Sequence, residues 1–240
     1  MDERLQIQCA GEDLELFADR AVWWKRTRTL IIADPHFGKP AAFRRAGIPV
    51  PENTTATDLA RLDNLLARTG SERLIILGDF FHAPSGRGEA TMQSLAEWCE
   101  RQSAKKIVLV SGNHDLKSGE PPGCWNFQVM PTGFRDGPFW MAHAPSRVRG
   151  AYVLAGHLHP AISLRERYGA GLRAACYCFG ANRAILPAFG SFTGGHPIRP
   201  EESDRIFAVG EGELIEVKTK DPLKKFRMIR INPPSKENQL

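Results

Sequence analysis

Five times along the chain, a short apolar and often β-branched run stops abruptly at an aspartate, asparagine or histidine. Leu30-Ile31-Ile32-Ala33 runs into Asp34 and His36, and Leu74-Ile75-Ile76-Leu77 into Gly78-Asp79. Ile107-Val108-Leu109-Val110 leads through Ser111 and Gly112 to Asn113-His114. Phe139-Trp140-Met141-Ala142 meets His143, and Tyr152-Val153-Leu154-Ala155 meets Gly156-His157-Leu158-His159. Runs of this kind read as buried strands.

Helical spacing appears between the early strands. Residues Thr54 to Arg68 carry Leu59, Leu62, Leu65 and Leu66 on one face, with Thr54 or Thr55 as cap and Gly70 as stop. Gly88 to Gln102 places Met92, Leu95, Ala96 and Cys99 together. Strand and helix in alternation predict an α/β fold, in which ligands gather beyond the carboxyl ends of the strands. The five loop tips therefore meet at one rim. After about residue 160 the helical period disappears, and the segments 161–164, 172–179, 184–188, 205–209 and 213–217 read as strands. Leu5–Cys9, Leu14–Phe17 and Ala21–Trp24 are also extended, so a second, more antiparallel sheet facing the first is expected. No linker divides residues 1–220, which we read as one domain followed by a basic tail over 221–240.

Composition narrows the setting. The N-terminus lacks the basic and apolar segments of a signal peptide, and no run approaches the ~20 apolar residues of a membrane span, so a cytoplasmic protein with no membrane partner is expected. The five cysteines are an odd, scattered set that fits a reducing compartment. Cys176 and Cys178 would share a strand face, but no second pair completes a metal site, and they read as core. The net charge of +5 leans towards anionic partners. Lys39, Arg44 and Arg45 follow the first Asp-x-His, and Lys218, Lys220, Lys224, Lys225, Arg227 and Arg230 cluster near the end. The latter cluster suits a solvated face as well as a nucleic-acid contact.

Six of the seven histidines (36, 82, 114, 143, 157 and 159) fall in the loop tips; only His196 does not. Placed beside Asp34, Asp79 and Asn113 they form a mixed carboxylate, imidazole and amide set, which suits Mn²⁺, Fe²⁺ or Zn²⁺. Seven of them, Asp34, His36, Asp79, Asn113, His143, His157 and His159, exceed what one ion takes and suit a pair that shares a carboxylate, able to activate water and clamp a phosphate.

The set Asp34-x-His36, Gly78-Asp79-x-x-His82, Gly112-Asn113-His114-Asp115, His143 and Gly156-His157-x-His159 resembles the calcineurin-like metallophosphoesterase superfamily. The resemblance implies a four-layer α/β/β/α sandwich. It also implies that Asp34, His36 and His159 hold one divalent ion, that Asn113, His143 and His157 hold another, and that Asp79 bridges them. His114 would stand beside the scissile phosphate as general acid or charge stabiliser, with Asp115 a candidate to orient it.

A closer likeness covers most of the chain. The stretches 33–51, 77–83 (Leu-Gly-Asp-Phe-Phe-His-Ala) and 186–195 (Leu-Pro-Ala-Phe-Gly-Ser-Phe-Thr-Gly-Gly) resemble the bacterial DNA-ligase-associated phosphoesterases, DNA damage response endonucleases. That likeness implies a Mn²⁺-dependent phosphodiesterase acting on DNA, preferentially single-stranded. It further implies functional association with an ATP-dependent DNA ligase, a helicase and an exonuclease. His82 stands where phosphoprotein phosphatases of the superfamily have aspartate and where its double-strand-break repair nucleases have histidine. It is therefore either a catalytic neighbour of His114 or a packing residue. Lys39, Arg44 and Arg45 are candidates to grip flanking phosphates, and Phe37, Phe43, Phe80 and Phe81 are either stacking platforms for bases or core. The rival enzyme reading is a phosphomonoesterase or cyclic-nucleotide phosphodiesterase, which would need a closed pocket. A non-catalytic binding module on the same fold is disfavoured because every expected ligand is present.

Overall fold

The computed structural model describes residues 3–51, 53–164, 172–218 and 227–228. The first sheet has the order β1 (Arg4–Cys9), β2 (Glu12–Phe17), β3 (Ala21–Trp24), β4 (Thr29–Ile32), β5 (Arg73–Ile76), β6 (Lys106–Val110), β7 (Phe127–Met130). Strands β1 to β4 pair antiparallel as a meander, and β4 to β7 run parallel. The parallel strands need crossovers. The longest helices supply two of them: α2 (Thr54–Thr69) lies between β4 and β5, and α3 (Glu89–Arg101) between β5 and β6. A short α1 (Lys39–Arg45) precedes α2, and α4 (Asp115–Ser118) follows β6.

The second sheet comprises β8 (Phe134–Asp136), β9 (Phe139–Ala142), β10 (Tyr152–Ala155), β13 (Arg183–Ile185), β12 (Leu172–Phe179), β15 (Arg205–Val209), β16 (Leu214–Lys218) and β17 (Arg227–Met228). The strand β11 (Pro160–Leu164) pairs with β12 and with the two-residue β14 (His196–Pro197). Beyond β17, the basic tail lies outside the described residues, as does Lys220.

Alternation along the parallel strands builds two cores at once, because successive side chains point to opposite faces. Ile31, Ile75, Val108 and Val110 face the second sheet and meet Phe139, Met141, Leu154, Tyr177 and Phe207. Leu30, Ile32, Leu74, Ile76, Ile107 and Leu109 face outward, under Leu59, Leu62, Leu65 and Leu66 of α2 and Leu95, Trp98 and Cys99 of α3. The result is the expected α/β sandwich of two mixed sheets, with one correction: the N-terminal strands β1 to β3, expected in the second sheet, extend the first, because β3 pairs antiparallel with the edge of β4. Over the outer face of the second sheet, the described residues place strand and loop side chains, Ile198 among them, against Ile162, Cys176, Cys178 and Ile206. Both cysteines of the 176/178 pair are buried there as free thiols. Tyr177 ties the sheets together: its hydroxyl donates to the carbonyls of Phe17 at 2.7 Å and Ala21 at 3.0 Å.

The sequence pattern overlooks strands β7, β8, β14 and β17 and helices α1 and α4. Strand β7 and strand β8 carry polar or half-exposed residues at alternate positions, so no apolar run marks them. Helix α1 opens with Lys39-Pro40 after Gly38, and only Pro40 in it is buried. A helix with so narrow an apolar face leaves little period to read.

Candidate metal centre

The two loops that carry Asp34, His36 and Asp79 run side by side beyond the ends of β4 and β5. Asp34 N–H donates to the Gly78 carbonyl at 3.2 Å, His36 N–H to Asp79 at 2.9 Å, and Phe37 N–H to Phe80 at 2.8 Å. The parallel ladder thus continues past the strands and fixes the first three side chains relative to one another. Its continuation costs backbone strain. Among the described non-glycine residues, Asp34, His36, Asp79, His157 and His159 all have φ between 44° and 69°. Left-handed backbone at such residues is unfavourable and persists where the surrounding structure over-determines it, often at functional sites.

Two glycines make room for the acids. A Cβ on Gly112 would lie 2.2 Å from Asp79 Oδ1, and one on Gly156 would lie 2.3 Å from Asp34 Oδ2. The backbone also holds each acid: His157 N–H donates to Asp34 Oδ2 at 2.7 Å, and His114 N–H to Asp79 Oδ1 at 2.9 Å.

The seven residues expected as ligands converge. His159 Nε2 approaches His36 Nε2 at 3.2 Å and Asp34 Oδ2 at 3.6 Å. On the other side His143 Nε2 lies 3.0 Å from Asn113 Oδ1 and 3.0 Å from His157 Nδ1. Asp79 stands between the groups, with Oδ2 3.8 Å from His36 Nε2 and Oδ1 3.6 Å from His143 Nε2. His143 Nδ1–H donates to the Leu77 carbonyl at 3.1 Å, which leaves Nε2 as the lone-pair nitrogen turned into the site.

Burial and charge favour cations here. Asp34, His36, Asp79 and His143 are buried at the base, while Asn113 and His157 are exposed at the mouth. Burial pushes the Asp34 carboxyl up, against the pull of His159 and His143. Burial, with His159, His114 and Lys39 nearby, draws His36 down to about 2, and burial also lowers His157. Neutral imidazoles are the ligand form. Asp34 Oδ1 is buried and has no hydrogen-bond partner within the protein. An orphaned carboxylate oxygen among inward-turned nitrogens fits a divalent ion on chemical grounds, since such an ion offsets the cost of burying the acid. Asp34, His36 and His159 form one compact set of donor atoms, and Asp79, His143 and His157 form another.

The remaining site residues divide. His114 Nδ1–H donates to the carbonyl of His82 at 2.5 Å, and its Nε2 lies 4.0 Å from Asp79 Oδ2. The group that orients His114 is therefore a backbone carbonyl and not Asp115. Asp115 accepts from Phe81 N–H at 3.2 Å and Gly112 N–H at 2.9 Å, so its carboxylate braces the loops; burial raises it to about 6. His82 stacks on His114, with ring centroids 5.0 Å apart and planes 22° apart, and burial lowers it to about 4. Lys39 is half-buried, its ammonium 6.0 Å from the Phe43 ring centroid. Arg44 turns away to the Pro51 carbonyl at 3.0 Å, and Arg45 lies beside Gly88. Phe37, Phe80 and Phe81 are 2%, 0% and 0% exposed, so they are core and offer no face to a base. Only Phe43 of that quartet is half-exposed.

The segment 186–196 reaches the site in a way that sequence order hides. Phe189 N–H donates to the Ala33 carbonyl at 2.7 Å, and His196 N–H to the His159 carbonyl at 2.7 Å. Asp58, buried on α2, accepts Ser191 N–H on both oxygens at 3.1 and 3.2 Å and pairs with Arg61 at 3.0 Å. Charged residues spaced along a helix read as solvent-facing, so this brace gives no signal in the sequence.

The calcineurin-like phosphoesterase family model matches residues 27–148, just over half of the chain and spanning four of the five loop tips. The chain belongs to the calcineurin-like phosphoesterase family. It is accordingly a metal-dependent phosphoesterase, as the Asp34 and Asp79 clusters fit. The crystal structure of Pseudomonas putida nuclease MPE is similar at 39% identity with a TM-score of 0.77, covering 88% of this chain and 98% of that one. This agrees with the closer likeness drawn from the 33–51 and 186–195 segments. The phosphoesterase Yfce from E. coli matches at 16% identity and a TM-score of 0.37, over 85% of this chain and 99% of that one, too distant to carry an argument. Comparison with curated proteins finds no match. Among the described residues, no helix is long and apolar enough to cross a membrane.

Proposed function

We propose that this phosphoesterase is a nuclease that cuts DNA internally at phosphodiester bonds, with single-stranded DNA as its substrate in repair. The observation that carries the reading is the likeness to nuclease MPE over nearly all of that protein's length. The open mouth of the site supports it, because Asn113, His157 and the half-exposed His114 face solvent, whereas a cyclic nucleotide would call for a closed pocket. Free cysteines throughout suit the cytoplasm. A ligase, a helicase and an exonuclease are the partners such an activity would serve.

Asp34, His36 and His159 would hold one ion and Asn113, His143 and His157 the other, with Asp79 between; Mn²⁺ is the proposed metal. When bound, the ions supply Lewis acidity and an activated water. The protein supplies placement and a proton. Asp79 and Asp34 are fixed by backbone amides, so the anionic floor is rigid before substrate arrives. His114 is held by the His82 carbonyl through Nδ1, which aims Nε2 at the centre. As the water oxygen bonds to phosphorus, giving up a proton to solvent, and the bond to the leaving oxygen breaks, His114 in its imidazolium form would give that oxygen the Nε2 proton and be reprotonated from solvent. Lys39 lies near enough to His36 and His82 for its charge to act on both, and it would hold a neighbouring phosphate.

Circular single-stranded DNA with Mn²⁺ tests this, since a circle has no ends. The proposal expects linear and then shorter products, and none from Asp79→Asn. A surviving circle, with hydrolysis of nitrophenyl phosphate esters intact, would leave the phosphoesterase and remove the DNA substrate.

A further inference from the structure

Among the described residues, only Ile48, Leu116 and Leu158 are large hydrophobics exposed by more than a third, at 47%, 81% and 39%. Two of them adjoin site residues in the sequence. Leu158 sits between His157 and His159, and Leu116 follows His114 by two positions. Ile48 lies beyond α1, its N–H donating to the Phe43 carbonyl at 3.0 Å. Exposed apolar side chains scattered singly need no explanation.

Two half-buried aromatic rings stand closer to the site histidines. Phe43 and Phe192 stand edge to face, with centroids 5.5 Å apart and planes at 89°. Phe43 is 6.2 Å from His82, which stacks on His114. The rings therefore form a continuous series from the rim of the site to the histidine aimed at the metals. Lys39 lies alongside, near the Phe43 ring. Phe192 belongs to the segment braced by Asp58 through the amide of Ser191, so the edge-to-face pair has one ring on α1 and the other on a clamped loop. Core packing explains neither ring fully, because both keep part of their surface in solvent.

We infer that Phe43 and Phe192 form a base-holding ledge that takes one unpaired nucleobase of the strand being cut, with Lys39 on an adjoining phosphate. The inference rests on the DNA-cleaving reading above and gives it a physical basis for selecting single strands. A base in a duplex is stacked and paired and cannot reach a ring at the rim, whereas an unpaired base turns its face to any aromatic surface. The ledge offers no hydrogen-bonding groups of its own, so it binds any base. Selection is by strandedness and not by sequence.

The test compares kcat/KM for a single-stranded oligonucleotide with kcat/KM for bis-(4-nitrophenyl) phosphate, which has no base. Removing one stacking ring is expected to cut the oligonucleotide-to-ester ratio about 5- to 150-fold in Phe43→Ala and in Phe192→Ala. Phe43→Trp should restore it. Phe43→Leu keeps an apolar contact with Phe192 for folding and should still lose the ratio, so a poorly folded alanine variant does not decide the matter. An oligonucleotide with abasic sites around the cleaved position should erase the difference between parent and variants. Equal losses on both substrates, or no loss on either, would overturn the ledge and make the rings mere support for His82. If the parent itself fails to cut the oligonucleotide while hydrolysing the ester, the DNA-cleaving reading fails, and the ledge falls with it.

Discussion

Replacing Gly156 by alanine isolates the role of space around Asp34. The backbone there does not require glycine, because Gly156 is not among the residues with positive φ. What the new methyl group meets is Asp34 Oδ2 at 2.3 Å and the Ala33 Cβ at 2.7 Å. Comfortable contact begins near ~3.5 Å, so something must move by about 1 Å. The Asp34 backbone is tied to Gly78 and that of Ala33 to Phe189, which passes the displacement to the Asp34 carboxylate. That carboxylate would leave the His157 amide at 2.7 Å and the His159 nitrogen at 3.6 Å. Overpacking of this kind costs about 1–3 kcal/mol, and at ~2–4 °C per kcal/mol for a chain of this size the chelated protein should melt about 2–12 °C lower. The effect on chemistry should be larger, since a ~1 Å misplacement at a reacting centre costs about 100-fold. The assay is hydrolysis of a nitrophenyl diester as a function of Mn²⁺ concentration, paired with thermal melting in chelator. The expected result is a raised metal half-saturation and a fall in rate far beyond what the melting shift explains. Gly123→Ala, whose Cβ meets nothing within 4 Å, is the control. Parental rate and metal half-saturation in Gly156→Ala would refute the reasoning.

Asp58→Ala removes the acceptor of Ser191 N–H and the partner of Arg61; with Arg61 part-exposed, about 2–3 kcal/mol and a melting point about 4–12 °C lower are expected by calorimetry. The same variant should need more Mn²⁺ for half-activity, because the loop it anchors backs Ala33. His114→Asn should slow cleavage of unactivated phosphodiesters about 10²- to 10⁴-fold and nitrophenyl esters much less, since nitrophenolate leaves without a proton; equal losses would remove the acid role. Thiol titration of the native protein should find one fast group, the exposed Cys124, because Cys9, Cys99, Cys176 and Cys178 are buried. Burial also pushes Cys9 up to about 11 and Cys99 and Cys178 to about 12, so all five thiols should react at once only in denaturant.

Much of the fold and most of the metal centre are legible in the amino-acid sequence. Leu74 to Asp79 states both a buried strand and a polar residue at its end, because burial demands apolar side chains and chemistry demands the opposite at the next position. Parallel pairing then brings Asp34 and Asp79 together without further information. Helices α2 and α3 are legible for the same reason, since each buries one face. Contacts made by surfaces without periodicity are not legible. Asp58 looks like an ordinary helix-surface acid until Ser191, distant in sequence, lands on it. Phe37, Phe80 and Phe81 qualify as stacking candidates because they neighbour ligands, yet they point to the opposite side of the loop ladder, under the helices. Asp115 follows His114 directly, but its carboxylate is taken up by the amides of Phe81 and Gly112.

Crystals of the protein soaked in Mn²⁺ and measured for anomalous scattering would test the two-ion centre most directly. Two peaks are expected, one against Asp34, His36 and His159, the other against Asn113, His143 and His157, with Asp79 reaching both. A single peak, or a principal peak enclosed by His36, His82 and His114, the third compact group of donor atoms, would contradict it.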